Sequence, residues 1–268
     1  MSHAVFRALP GLAFLVGAAV LATPLCGGEP GAGDAPWAGK PLLAGWTFDE
    51  PFGPDCADAG SRGLTATAEG RQALGISRTK GLFGGALALS GEHALQVSGG
   101  PDFGGLKAVS FSAWTLPTEL GSYREIFRKE DGENRVLFSF QEDGRILSLG
   151  LNVGGYAECD APIDPAKVLD GTWHHCAATF DGRWMRVWLD GQEMGRLERP
   201  GTIAAGGKAP GCIGSLGGTA EHFQGRLDDL RIYEAALSPE EVSAMFRAGR
   251  DAQEKSLRHF EEALGSLY

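Results

Sequence analysis

The stretch from Thr172 to Gly191, TWHHCAATFDGRWMRVWLDG, constrains the fold more than any other part of the chain. It reads as two strands closed by Asp181-Gly182, because a tight hairpin turn needs positive φ, which Gly adopts freely and Asp tolerates. With Phe180 and Arg183 as flanking partners, Ala178 faces Met185, Cys176 faces Val187 and His174 faces Leu189. The opposite side then carries Thr179 against Trp184, Ala177 against Arg186 and His175 against Trp188, by the period of two in a strand. One face is aliphatic; the other mixes aromatics with hydrogen-bond donors. Asp190-Gly191 turns the chain again, so the segment is expected to be a meander inside a larger antiparallel sheet.

Other short runs repeat this pattern. Leu42 to Asp49, Ala86 to Leu89, Ala94 to Val97, Val109 to Leu116, Glu125 to Lys129, Val136 to Gln141, Ile146 to Val153, Gly211 to Ser215 and Arg226 to Tyr233 read as strands between turn residues. In the hairpin closed by Asp143-Gly144, Leu147, Leu149, Leu151 and Val153 share a face and are assigned to the core. Ser148, Gly150 and Asn152 share the other. The 41 glycines in 268 residues have no collagen-like period, which fits many turns joining many strands. Ser238-Pro239-Glu240-Glu241 has an N-cap, a proline at the first helical position and acids in the first turn, so a helix is predicted to about Ala248. From Asp251 on, Leu257, Phe260 and Leu264 recur at helical spacing, predicting a second, amphipathic helix that docks on the sandwich or on a neighbouring chain.

A net charge of −10 without a Lys/Arg run argues against nucleic acid or an anionic membrane surface as partner. Residues 1–25 pair Arg7 with an apolar stretch from Leu9 to Leu21 and read as a secretory signal; an uncleaved anchor, or lipidation at Cys26, is the alternative. Membrane contact is therefore expected only through this segment, and a secreted, periplasmic or cell-surface location follows. Residues 26–40 read as a flexible linker, 41–236 as one domain and 237–268 as a helical extension. Cys56, Cys159, Cys176 and Cys212 form an even set in an exported chain, giving two disulfides in any of three pairings. The competing reading makes Cys176 a small buried hydrophobe.

An ordered set of motifs carries a resemblance. It begins with Ala44-Gly45-Trp46-Thr47-Phe48-Asp49, Gly84-Gly85-Ala86-Leu87, Leu89-Ser90-Gly91 and Phe111-Ser112-Ala113-Trp114. It continues through Thr172-Trp173-His174-His175, Leu189-Asp190-Gly191 and Gly225-Arg226-Leu227-Asp228-Asp229-Leu230-Arg231-Ile232-Tyr233. Over about residues 42 to 247 the chain resembles bacterial laminin-G/pentraxin-like members of the concanavalin A-like lectin/glucanase superfamily. The resemblance implies an all-β fold: a two-sheet antiparallel jelly-roll sandwich with a concave face, here with one or two short C-terminal helices. It also implies a structural calcium held by Asp228, with backbone oxygens near Asp49 and Gly91. Six or more hard oxygens are what calcium requires.

The superfamily contains enzymes and binders, so function has to come from residues. The Glu-x-Asp-x-x-Glu strand motif of its retaining glucanases is absent from the sequence, which argues against catalysis. Adjacent His174 and His175 point to opposite faces of a strand and cannot share a metal. The best ligand surface combines Trp184, Arg186, Trp188 and His175 with Gln141, Ser148 and Asn152 on neighbouring strands. Indole stacks on the C–H face of a sugar while Arg and Asn meet its hydroxyls. The opposing reading has Trp184 and Trp188 packed under a loop or the C-terminal helices. The expected function is an exported, non-catalytic recognition module for a polysaccharide or surface glycoprotein. A structural or adhesive protein-binding domain and a divergent glycoside hydrolase are the alternatives.

Overall fold

The computed structural model describes residues 35–68, 73 and 75–265. The signal and lipidation readings at 1–25 and Cys26 fall outside them. Two antiparallel sheets stack face to face. The first runs β13 (Gln192–Glu198), β12 (Trp184–Leu189), β11 (His174–Phe180), β6 (Val109–Glu119), β15 (Gln224–Tyr233), β4 (Gly85–Ser90), β3 (Ile76–Lys80). Strand β1 (Leu42–Trp46) shares an edge of β15 with β4, pairing Leu230–Tyr233 where β4 pairs Gln224–Leu227. The second sheet runs β10 (Tyr156–Pro162), β9 (Ile146–Asn152), β8 (Val136–Gln141), β7 (Tyr123–Lys129), β14 (Gly211–Ile213), β5 (Leu95–Val97), β2 (Ala66–Thr67). A short helix α1 (Pro165–Val168) leads into β11, and α2 (Pro239–Gly265) ends the described chain.

Alternation puts the predicted aliphatic sets between the sheets. Leu147, Leu149 and Leu151 of β9 meet Cys176, Ala178, Phe180, Met185 and Val187 from β11 and β12 in one buried cluster. Phe111 of β6 crosses the interface, its ring 5.8 Å from Phe127 and 5.9 Å from Phe138 on the second sheet. Burial of this kind contributes about 25 cal/mol per Å² of apolar surface, so these inward rows hold the sandwich together.

The hairpin that opens the sequence argument is formed with its register displaced. Phe180 pairs with Met185 rather than Arg183, because the Asp181 carboxylate accepts the backbone N–H groups of Arg183 (2.9 Å) and Trp184 (2.7 Å) and holds both inside the turn. The displacement keeps the parity of the side chains: Thr179 lies opposite Arg186 and Ala177 opposite Trp188, so each residue keeps its predicted face. The second turn is as predicted, with Asp190 (φ 51°) and Gly191 (φ 76°) between paired Leu189 and Gln192.

Strands β3 and β10 had no counterpart in the sequence reading; Pro162 and the acids around Cys159 made β10 look like a loop. A bulge in β15 between Asp228 and Arg231 inserts Asp229 at φ 47°, which brings Leu227 and Leu230 both to the core.

The C-terminal extension is one helix rather than two short ones. Its start is the predicted N-cap, which the structure completes as a capping box: Glu241 N donates to Ser238 Oγ (3.2 Å) and Ser238 N donates to Glu241 Oε2 (2.7 Å). The helix lies on the outward face of the first sheet, where Val242 and Met245 pack with Ala177, Trp188, Tyr233 and Leu237. Trp37 packs against the same cluster, and Lys40 pairs with Glu241 at 3.1 Å. The described end of the expected linker, residues 35–40, is thus part of the domain.

Gly249 shows why the helix runs through the position where a break was expected. A Cβ there would stand 1.9 Å from Cζ2 of Trp114, an indole that is only 2% exposed. Gly249→Ala adds about 1 kcal/mol of helix propensity but overpacks a buried ring at a cost of about 1–3 kcal/mol. A lowered Tm in thermal unfolding is the expected outcome; a raised one contradicts this packing.

Candidate functional site

The outward face of the first sheet holds four of the seven residues of the expected ligand surface, and α2 covers two of them. Trp188 is 3% exposed and its Nε1 donates to Thr179 Oγ1 (3.3 Å) inside the helix–sheet cluster. His175 is fully buried, with Nε2 2.9 Å from Ser112 Oγ and its ring 5.1 Å from Trp114. Burial drives its pKa down to about 4. Neither reaches a ligand, so for these two the packing reading holds. Trp184 and Arg186 sit half-buried on β12, one strand in from the sheet edge. Arg186 is tied to Asp181 at 2.6 Å and to Glu193 at 3.6 Å, with its guanidinium 5.9 Å from the Trp184 ring.

Gln141 and Asn152 lie on the other side of the molecule. With Ser148 they face outward from the second sheet, so the seven residues do not form one site. This second face is built of hydrogen-bonding groups. Gln141 Nε2 donates to Glu158 Oε2 (2.9 Å), Tyr156 OH donates to Glu158 Oε1 (2.8 Å), and Ser148 Oγ donates to Asp160 Oδ1 (2.6 Å). Asn152 Nδ2 donates to the Glu133 carbonyl (2.9 Å) and to Asn134 Oδ1 (3.0 Å).

Gly150 makes room for this arrangement. A Cβ there would meet Tyr156 OH at 2.3 Å and Leu137 Cγ at 2.8 Å, so the phenol lies across the sheet above a position without a side chain. The Arg135 guanidinium stands 4.3 Å from the centre of the tyrosine ring. The sequence missed Tyr156 and Glu158 because their strand was read as a loop. The alternation Tyr156-x-Glu158-x-Asp160, set beside Ser148-x-Gly150-x-Asn152, was the signal that could have found them.

Two carboxyl groups do converge on this face. Glu125 on β7 is fully buried, and Arg128 Nη1 is 2.8 Å from Glu125 Oε1 and 3.6 Å from Glu221 Oε2. Burial, then a hydrogen bond with Glu221, raises the Glu125 pKa well above the ordinary carboxyl range, against the pull of Arg128. Glycosidase pairs stand about 5–9.5 Å apart with substrate or water between them. Here the carboxyls are in hydrogen-bond contact and share an arginine, leaving no room for a glycosidic bond.

Residues 89–243, more than half the chain, match the laminin-G model described as concanavalin A-like lectin/glucanases superfamily. The chain belongs to this superfamily. Human Pentraxin-4 is 27% identical over 150 residues, covering 52% of this chain and 31% of that protein. The bovine Pentraxin-related protein PTX3 is 28% identical over 153 residues, covering 51% of this chain and 38% of that protein. The chain thus spans about a third of the length of these relatives. Domain 4 of AbnA, an extracellular arabinanase from Geobacillus stearothermophilus solved in complex with arabinotriose, superposes with a TM-score of 0.59 at 25% identity. It covers 76% of this chain and 97% of that domain. The botulinum neurotoxin serotype G binding domain shares the fold, with a TM-score of 0.58 at 12% identity over 76% of this chain and 50% of that one.

The calcium ligands that superfamily membership suggests come together only in part. Asp228 Oδ2 accepts the N–H groups of Leu82 (2.7 Å) and Phe83 (3.0 Å), and Asp49 Oδ1 accepts that of Gly85 (2.6 Å). Asp228 Oδ1 is buried without a hydrogen-bond partner. Burial raises the Asp228 pKa to about 8, the neighbouring Asp229 and Asp49 charges adding to the effect against the two N–H groups. Gly91 does not belong to this cluster: it follows Ser90, which pairs with Gln224, four residues from Asp228 and so about 13 Å away along the strand. The Gly85 carbonyl lies there instead. A Cβ on Gly81 would stand 2.2 Å from that oxygen and 2.5 Å from Asp228 Oδ2.

The expected disulfides are not formed. Cys56, Cys159, Cys176 and Cys212 are four separate buried thiols, and Cys176 is the small core residue of the alternative reading. Burial pushes Cys56 up to about 11 and Cys159 up to about 12, so neither is a thiolate at neutral pH.

His174, on the core side of β11, is clamped between Asp190 (Nδ1 to Oδ2, 2.8 Å) and Asp170 (Nε2 to Oδ1, 3.1 Å). Burial alone would lower its pKa, but the two carboxylates hold it above the ordinary 6.5. A raised folded-state pKa gives stability that is fully present below the unfolded value and is lost as pH rises through the folded one. His174→Gln is expected to cost more at pH 5.5 than at pH 8.5 in urea unfolding. An equal cost at both, or a larger one at pH 8.5, contradicts the clamp.

Proposed function

We propose that this chain is a non-catalytic carbohydrate-recognition module that binds a polysaccharide or the glycan of a surface glycoprotein through the outward face of its second sheet. The observation that carries this is the Tyr156–Glu158–Gln141 cluster: a ring laid across Gly150 with a carboxylate and an amide beside it. A sugar offers the complementary groups, hydroxyls that both donate and accept beside the carboxylate, the amide and the Arg135 guanidinium that covers the ring. The likeness to an arabinanase domain solved with arabinotriose supports the same ligand class. Burial of Glu125 behind Arg128 supports a binder over a divergent hydrolase, because substrate cannot reach a carboxyl that is fully enclosed. The N-terminal signal pattern supports action outside the cytoplasm, in a secreted, periplasmic or cell-surface setting. The adhesive alternative draws on Leu257, 58% exposed on α2, and needs a protein partner there.

A glycan array in calcium-containing buffer tests the proposal. Binding to a defined polysaccharide is expected, weakened about tenfold or more by Tyr156→Ala and unchanged by Trp184→Ala, with no reducing ends released from the bound glycan. Binding that survives Tyr156→Ala but is lost with Trp184→Ala, or release of reducing sugar, sinks this reading.

We also propose a structural calcium at the β3–β4 turn, supported by the unpartnered Asp228 Oδ1 and by the close approach of the Gly85 carbonyl and Asp228 Oδ2 to Gly81. Asp228 and Asp49 would supply carboxylate oxygens and Gly85 a carbonyl, with the rest of the shell filled by water. Calcium is expected to raise the Tm of metal-stripped protein, and Asp228→Asn to abolish that shift. If the stripped protein shows no shift with calcium and Asp228→Asn is more stable at pH 7, Asp228 is a buried protonated acid and the calcium reading fails.

A further inference from the structure

The outward face of the second sheet has an apolar margin beside its polar centre. Tyr123 of β7 pairs with Gln141 of β8, Gln141 with Ile146 of β9, and Ile146 with Pro162 of β10. Residues directly opposite each other in an antiparallel pair share a face, so these four form one row across four strands. The core does not use them, because the neighbouring inward positions Phe140, Leu147 and Ala161 fill it. Tyr123 is 43% exposed, Pro162 is exposed and Ile146 is half-buried outside the core cluster.

Gln141 is the polar member of the row, and its amide turns away from it. Nε2 donates to Ser139 Oγ (3.3 Å) and to Glu158 Oε2 (2.9 Å), both nearer the centre of the face. The tyrosine of that centre offers no stacking surface, since the Arg135 guanidinium stands 4.3 Å from the middle of the Tyr156 ring. No cation or second ring covers Tyr123 among the described residues.

We infer that Tyr123 is the stacking residue of the recognition face, and that the ligand is a neutral oligosaccharide segment laid along its row, across the strands. The inference rests on the reading of this face as carbohydrate-binding and adds to it an orientation, a length and a charge. Chemistry sets the orientation: the C–H face of a sugar meets the Tyr123 ring and then Ile146 and Pro162, while hydroxyls at its edge meet the Gln141–Glu158 and Ser148–Asp160 pairs beside the row. Strand spacing sets the length, because three gaps between four strands span about 14 Å, more than a single sugar ring covers. The carboxylates set the charge. Glu158 and Asp160 accept from neutral donors, Gln141, Tyr156 and Ser148, so a uronate or sulfate would bring like charge beside them.

The test titrates the full chain calorimetrically with ladders of arabino-, xylo- and cello-oligosaccharides from one ring to five, and with oligogalacturonate as the acidic control. Binding to at least one neutral ladder is expected, tightening from one ring to three and levelling beyond. Tyr123→Ala is expected to weaken the three-ring ligand about tenfold, while Tyr123→Phe, which keeps the ring, binds as the parent does and neither variant lowers Tm. The inference is overturned if Tyr123→Ala binds as tightly as the parent, if one ring binds as tightly as three, or if no neutral ladder binds. A Tyr123→Phe variant that binds as poorly as Tyr123→Ala would also overturn it, since the ring face would then not be the contact. Binding that is lost in Tyr156→Ala but intact in Tyr123→Ala, or confined to oligogalacturonate, overturns this inference and leaves the reading of the face standing; no binding to these ladders or to any glycan on the array ends both.

Discussion

The outward side of the first sheet carries Trp114, Ala177, Trp188 and Tyr233, an apolar set that cannot face water without loss, and α2 is the element that shields it. The capping box at Ser238 starts the helix where the chain leaves β15, so its first turns lie directly above Trp188. Gly249 lets it stay close as it passes Trp114. This contact explains why two conspicuous tryptophans are interior residues in a two-layer sandwich. In effect the first sheet has a core on both sides, one shared with the second sheet and one with the helix.

The second sheet solves the opposite problem. Its outward positions are hydroxyls, amides and carboxylates, and they are buried largely by one another: Ser139 and Ser148 are fully enclosed, and Gln141 is 7% exposed. Buried polar groups are tolerable when they are paired. The Gln141–Glu158–Tyr156 and Ser148–Asp160 bonds supply that pairing, and Arg128 does the same for Glu130 and for one oxygen of Glu125, while Glu125 Oε2 and Glu221 Oε2 are buried without a hydrogen-bond partner. Such a face is pre-ordered, so a ligand meeting its rim has little side-chain freedom left to freeze. The same pre-ordering argues against chemistry at Glu125, which is locked by Arg128 and Glu221 rather than aimed at a gap.

The sandwich, the inward rows and the start of the C-terminal helix were legible in the sequence because each rests on local periodicity or a capping pattern. Leu147, Leu149 and Leu151 went to the core on alternation alone. The hairpin register was not legible, because it depends on the Asp181 side chain binding two backbone N–H groups inside the turn. Parity rescued the faces even so. The site was harder. Which outward face a helix covers is a tertiary fact, and no local signal distinguishes a tryptophan awaiting a sugar from one awaiting Val242 and Met245. Gln141 and Asn152 were placed on an outward face correctly but joined to the wrong sheet, since strand order across a sandwich cannot be read from a single hairpin. The bulge at Asp229 was hidden for a related reason: the doubled Asp looked like a ligand motif, whereas its spacing also serves to return Leu230 to the core.

Hydrogen exchange at the indole N–H of Trp188, followed with and without a saturating glycan, tests the central claim that α2 closes this face and leaves recognition to other surfaces. Exchange limited by global unfolding, far slower than that of Trp184 and unaltered by the glycan, is the predicted result. Rapid exchange through local lifting of the helix, slowed further when glycan binds, would show that the covered face is itself the binding surface.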